Sequence, residues 1–163
     1  MKVSHKMIAP LVGVTLLVAL VVTTTLWAFK QTEVGAAARQ HAAVVLASAD
    51  ELLSKLRDAE TGQRGYLITG DAAFLEPYLA VRDDINGRLK ILQSLTSVAA
   101  ARKHLEAVTP LVAAKLAQMS NAIELRRNHD LTATQAVLES GQGKQLMDSI
   151  RGEMNGFVAI ETA

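Results

Sequence analysis

Residues 42–70 read Ala-Ala-Val-Val-Leu-Ala-Ser-Ala-Asp-Glu-Leu-Leu-Ser-Lys-Leu-Arg-Asp-Ala-Glu-Thr-Gly-Gln-Arg-Gly-Tyr-Leu-Ile-Thr-Gly. Within them Ala42, Val45, Ala49, Leu52, Leu56 and Ala59 recur at alternating steps of three and four, and the same register reaches Gln63 and Tyr66. That spacing is the apolar stripe of an amphipathic α-helix built to pack on other helices. Gly70 is a suitable stop, because a helix commonly ends on a glycine in the left-handed conformation. This stretch sets an all-α fold.

Towards the amino terminus, residues 7–29 carry no charged side chain, and Lys6 and Lys30 close the run. A helix of that length covers about 34 Å at about 1.5 Å per residue, enough for a bilayer core. The apolar run exceeds the roughly 7–15 residues of a signal-peptide core. An uncleaved transmembrane anchor is therefore favoured over cleavage near Ala36, Ala37 and Ala38. Trp27 suits the aromatic belt at the outer interface. Flanking charge is nearly tied, with Lys2 and Lys6 on one side and Lys30 and Arg39 on the other. The expected topology has residues 1–6 as a cytoplasmic tail, 7–29 as the span and 30–163 as one extracytoplasmic domain. The first helix is expected to run out of the membrane without a break.

Towards the carboxyl terminus the helical period returns. Asp71 is a plausible N-cap for a second segment with Phe74, Tyr78, Val81, Ile85, Leu89, Leu92 and Leu95 on its stripe. Pro77 falls early, so an irregular first turn and a regular helix from Glu76 are expected. A third segment, from about Val98 to Arg127, carries Leu105, Val108, Val112, Leu116, Met119 and Ile123. Pro110 inside it predicts a kink, or a restart capped by Thr109. A polar break at Asn128-His129-Asp130 precedes a short helix over Leu131–Glu139. After Ser140-Gly141-Gln142-Gly143 a last helix carries Met147, Ile150, Met154 and Phe157. Together these predict one transmembrane helix continuing into an antiparallel four-helix bundle. A second transmembrane helix and an output module are expected to be absent from these 163 residues.

Composition narrows the function. Residues 1–30 hold Lys2, Lys6 and Lys30 and no acid; the other 14 of the 17 basic residues and all 16 acidic ones follow, so the domain is two negative. No basic stripe marks a nucleic-acid footprint. With no cysteine, disulfides, thiolate metal sites and cysteine nucleophiles are excluded. His5, His41, His104 and His129 have no chelating helical spacing, so no metal or other cofactor is expected. No nucleophile elbow or paired-acid setting is visible, so an enzyme is not expected.

The densest polar run is Asp58-Ala-Glu60-Thr61-Gly62-Gln63-Arg64-Gly65-Tyr66. Two interior glycines cost a helix about 1 kcal/mol each against alanine. Gly62 and Gly65 would let another helix approach closely. Gln63 falls on the seam, where a buried amide needs a partner. Glu60 and Arg64 can pair along the helix. By themselves the residues favour a tight crossing with a register-fixing polar layer over a ligand pocket. Lys115, Arg126 and Arg127 read as solvated charges, which gain a role only if they face Glu60 or Asp58. Ser140-Gly-Gln-Gly-Lys144 lacks the spacing of a phosphate loop and reads as a flexible lead-in to the last helix; its helix N-terminus beside Lys144 would nevertheless attract an anion.

Asp58-Ala-Glu-Thr-Gly-Gln-Arg-Gly-Tyr-Leu-Ile-Thr-Gly-Asp71, followed by Phe74-Leu-Glu-Pro-Tyr78, resembles the third class of CHASE domains. Pro110-Leu-Val-Ala-Ala-Lys-Leu116, Glu124-Leu-Arg-Arg127 and Ser140-Gly-Gln-Gly-Lys144 with Leu146-Met-Asp148 extend the resemblance over roughly residues 34–163. It implies a periplasmic four-helix sensor feeding a histidine kinase, diguanylate cyclase or chemoreceptor module. The expected function is thus a membrane-anchored sensory input domain, acting as a homodimer, with an undefined ligand and no nucleic-acid partner. A stimulus would shift the first helix against the last by about an ångström. Asp58, Glu60, Thr61, Gln63, Arg64 and Tyr66 are the candidate switch layer, with Lys115, Arg126, Arg127 and Lys144 as candidate basic contacts. The alternative is an anchored partner-binding or dimerisation module that takes no small molecule.

Overall fold

The computed structural model describes the backbone of residues 5–162 and the side chains of 16–27 and 39–162. The helices are α1 (His5–Thr69), α2 (Glu76–Leu95), α3 (Ala99–Arg127), α4 (Leu131–Glu139) and α5 (Gln142–Glu161), with a 3-10 turn at Ala72–Leu75 before α2. Among the described residues there is no strand. The chain divides into two compact units, Met1–His41 and Ala42–Ala163, and the boundary falls within α1.

In the first unit, Leu16, Leu17, Val18, Leu20, Val21, Val22, Leu26 and Trp27 are all exposed. The hydroxyl of Thr24 donates to the Leu20 carbonyl at 2.9 Å, that of Thr25 to Val21 at 2.7 Å, and that of Thr23 to Ala19. Among the described residues no helix is long and apolar enough to cross a membrane. The side chains of the expected tail, of residues 7–15 and 28–29 of the expected span, and of Ala36–Ala38 lie outside the described residues.

The second unit is an up-down-up-down bundle, and its directions follow from pairs of contacts. Gly62 of α1 lies against Phe74 and Pro77, while Glu51, three turns earlier, pairs with Arg88 at 2.7 Å. α1 and α2 are therefore antiparallel. Lys115 of α3 meets Gly143 of α5, and His104 meets Glu153, so these two are also antiparallel. Glu60 with Lys115, and Leu67 with Arg126, make α1 and α3 parallel. The short α4 is the helix expected over Leu131–Glu139, and it accompanies the four long ones.

The core contains Val45, Ala49, Leu52, Leu56, Ala59 and Tyr66 of α1; Tyr78, Val81, Ile85, Leu89 and Leu92 of α2; Leu105, Val108, Val112 and Met119 of α3; and Met147, Ile150, Met154 and Phe157 of α5. Most of the expected stripes are therefore inside. Ala42 and Leu95, at the ends of their stripes, are half-buried, and two further positions depart from them. Phe74 is exposed because the chain there is a 3-10 turn, whose three-residue repeat turns Leu75 inward instead. Leu116 is only half-buried, and Lys115 takes its place in the core.

The turns obey local chemistry. Gly70 has φ +76°, and its N–H bonds the Tyr66 carbonyl at 2.8 Å. Asp71 accepts from the Ala73 N–H at 2.9 Å and caps the 3-10 turn, and Pro77 lies in the first turn of α2. Asp130 caps α4, accepting from Ala133 N–H at 2.8 Å. No restart occurs at Thr109, because α3 runs through Pro110. The interior proline costs about 3 kcal/mol, whereas each large apolar side chain buried nearby contributes about 1.5–3 kcal/mol. Leu105, Val108 and Val112 on the inner face outweigh Pro110, which lies on the outer one.

Candidate functional site

The site forms where the seams of three helices carry polar residues at one level. Along α3, Ala101, Leu105, Val108, Val112, Lys115, Met119 and Ala122 step by three and four, so helical geometry turns Lys115 inward as surely as its apolar neighbours. It is 1 % exposed. Its Nζ donates to Glu60 Oε1 at 2.9 Å and to the Gly143 carbonyl at 3.0 Å. One ammonium thus ties α1, α3 and the start of α5 together. The expectation of a solvated Lys115 is corrected here: only the bundle's assembly brings an acid and the Gly143 carbonyl to its tip.

Glu60, 8 % exposed, also accepts from Arg64 Nη2 at 3.1 Å, so its charge is met from two directions. Next to it Gln63 is 2 % exposed. Its Nε2 has no hydrogen-bond partner among the described residues, and neither does Oε1 of Gln118 on α3. A buried polar atom left unpaired costs about 1–3 kcal/mol. These amides, with Glu60, Arg64, Lys115, Gly141, Gly143 and Lys144, line a cleft of about 50 Å³. A second cleft of about 230 Å³ shares Glu60, Arg64 and Lys144 and adds Met147, Asp148 and Arg151. Lys144, bonded to Asp148, holds that carboxyl below its ordinary 3.8; burial opposes the shift and Arg151 adds to it. Three cationic side chains and one carboxylate border the smaller cleft, which makes it net positive.

The other candidates separate from this layer. Asp58 and Thr61 line an open groove with Gly62, Gly65, Phe74 and Pro77. Gly62 and Gly65 do permit close packing: a Cβ on Gly62 would lie 2.4 Å from the Phe74 carbonyl oxygen, and one on Gly65 2.6 Å from the Phe74 ring. Tyr66 is buried in the core. Arg126 is half-buried rather than solvated, and its Nε donates to the Leu67 carbonyl at 3.0 Å, one of the last carbonyls of α1. Gly70 leaves it room, since a Cβ there would lie 2.9 Å from Arg126 Nη2. Arg127 is exposed and pairs with Glu124 at 2.8 Å. Gln118 is the residue that sequence reasoning missed; it adjoins the seam beside Met119, and nothing in its own spacing sets it apart.

A helical bundle with a charged layer across its seams is the class of domain that this geometry defines. The chain belongs to the CHASE3 domain family, which matches residues 36–163. The bundle is similar to the crystal structure of the sensor domain of histidine kinase HK9 from Rhodopseudomonas palustris. The TM-score is 0.65 and the identity 23%, over 72% of this chain and 93% of that one. Comparison with curated proteins gives no match.

Proposed function

We propose that this chain is the extracytoplasmic input domain of a membrane receptor, with a histidine kinase, diguanylate cyclase or chemoreceptor module as output. CHASE3 membership and the likeness to a kinase sensor domain support the sensory role. The run of exposed apolar side chains from Leu16 to Trp27 supports anchoring at residues 7–29, since such a surface needs a cover. Threonine hydroxyls bonded back onto their own helix also suit an apolar setting. The amino terminus lies inside the cell and the bundle outside.

The observation that carries the mechanism is the buried Lys115, held between Glu60 of α1 and the Gly143 carbonyl at the start of α5. A stimulus that changes how Lys115 divides itself between these partners changes the packing of α1 against α5, and the helix shift is the message. Gln63, buried and unpaired beside the bridge, costs this packing about 1–3 kcal/mol and so narrows its advantage over another. The test installs the chain ahead of a histidine kinase output module and replaces Gln63 by Leu. An apolar side chain there favours one packing, so kinase activity becomes independent of stimulus. Output that still follows the stimulus counts against the mechanism.

A further inference from the structure

We infer that the cleft between α1, α3 and the start of α5 binds a small oxyanion that retains one O–H group, of the hydrogenphosphate or 2-hydroxycarboxylate kind. The inference rests on the reading of the polar layer as the sensing site and names the chemistry of its ligand. Negative charge is favoured from several directions. Arg64, Lys115 and Lys144 border the cleft against the carboxylate of Glu60, with Asp148 of the adjoining cleft paired to Lys144, which leaves one positive charge in excess. Glu60 is already neutralised by Lys115 at 2.9 Å and Arg64 at 3.1 Å. Lys115 has three N–H groups, of which two bond Glu60 and Gly143. The 20-residue α5 begins here at Gly141, which supplies no side-chain cap; Gln142 N–H donates to Ser140 Oγ at 3.3 Å, and the helix dipole places its positive end at this level.

The two amides sharpen the class. Gln63 is almost fully buried and its unpaired Nε2 requires an acceptor, which an oxyanion supplies. Gln118 Oε1, also unpaired, requires a donor. Sulfate and acetate carry no O–H at neutral pH, whereas hydrogenphosphate and glycolate each carry one. Size agrees. At roughly 10–15 Å³ per water-sized sphere, about 50 Å³ suits a group of about three to five heavy atoms. Gly143 keeps this space open: a Cβ there would lie 3.1 Å from Gln118 Oε1 and 3.2 Å from Lys115 Nζ.

Isothermal titration of the full chain in phosphatidylcholine nanodiscs, at constant ionic strength, tests the inference with inorganic phosphate, sulfate, glycolate and acetate. Phosphate should bind at least tenfold more tightly than sulfate, or glycolate at least tenfold more tightly than acetate; whichever pair discriminates identifies the source. Gly143→Ala should weaken that binding at least tenfold while circular dichroism is unchanged, and Gln118→Leu should abolish the discrimination. Equal affinity within both pairs, or no binding by any of the four, overturns the inference. The two readings fail separately. Absent binding with a stimulus-independent Gln63→Leu chimera removes only the ligand class. Selective binding with an unaltered Gln63→Leu chimera removes only the input mechanism.

Discussion

Lys115 shows how a single side chain acquires a role from its neighbours. An ammonium in the core is tolerated because Glu60 and the Gly143 carbonyl receive it. Lys115→Ala leaves Glu60 with Arg64 alone and should destabilise the domain by about 3 kcal/mol. The paired replacement Glu60→Leu with Lys115→Met should cost much less or even stabilise, since an apolar layer avoids the desolvation of both charges. A double-mutant cycle by chemical denaturation of the full chain measures the coupling; additive losses would deny it. Gln63→Leu removes an unpaired amide and should raise stability by about 1 kcal/mol. A clear loss in the same assay would mean that the amide has a partner after all. Asp148 gives a pH signature. Its folded carboxyl lies below the ordinary value, so its contribution is complete above about pH 3.8 and is lost as pH falls through the lower folded value. Carboxyl chemical shifts followed by NMR should show Asp148 titrating below the exposed, unpaired carboxylates.

At the scale of elements, the glycines divide by what surrounds them. Gly62 is helical, so Gly62→Ala would gain about 1 kcal/mol from propensity alone. Its Cβ, however, would press a backbone oxygen at 2.4 Å, which cannot swing aside as a side chain does. The substitution should therefore cost about 1–3 kcal/mol. Gly152→Ala on α5 meets nothing within 4 Å and should stabilise by about 0.5–1 kcal/mol. Opposite signs in thermal unfolding of the two variants are the expected result; the same sign would refute the close approach of α1 to Phe74. Helix identities were readable at this scale because periodicity and caps are local: Asp71, Gly70 and Asp130 act within four residues of themselves. The 3-10 turn was announced only by Pro77, so the facing of Phe74 was not readable.

For the molecule as a whole, the prediction concerns the membrane. Trp27 is the chain's one tryptophan and is 69 % exposed in the structure. In vesicles its emission should be blue-shifted and quenched by lipids brominated near the headgroup. Emission like that of tryptophan in water would argue against anchoring. The bundle obtains its cooperativity from seams that run the length of four helices, so the polar layer is held by apolar layers above and below it. That arrangement lets a small local change alter helix packing without unfolding the domain.

The order of the helices, their caps and most of their buried faces belonged to the sequence alone, because backbone hydrogen bonding and apolar spacing act over a few residues. The sequence even carried Lys115 in register, since Leu105, Val108, Val112, Lys115 and Met119 step by three and four. What it could not state was the partner. Glu60 and Lys115 are 55 residues apart, and Gly143 is 28 beyond Lys115. Only the tertiary fold brings that acid, that ammonium and that carbonyl to one level, and it also set Gln63 beside Gln118. A hydrogen bond needs its partners within about 3.2 Å, and an ion pair weakens with distance and with exposure to water, so whether a lysine is solvated or structural is decided by assembly and not by the residue.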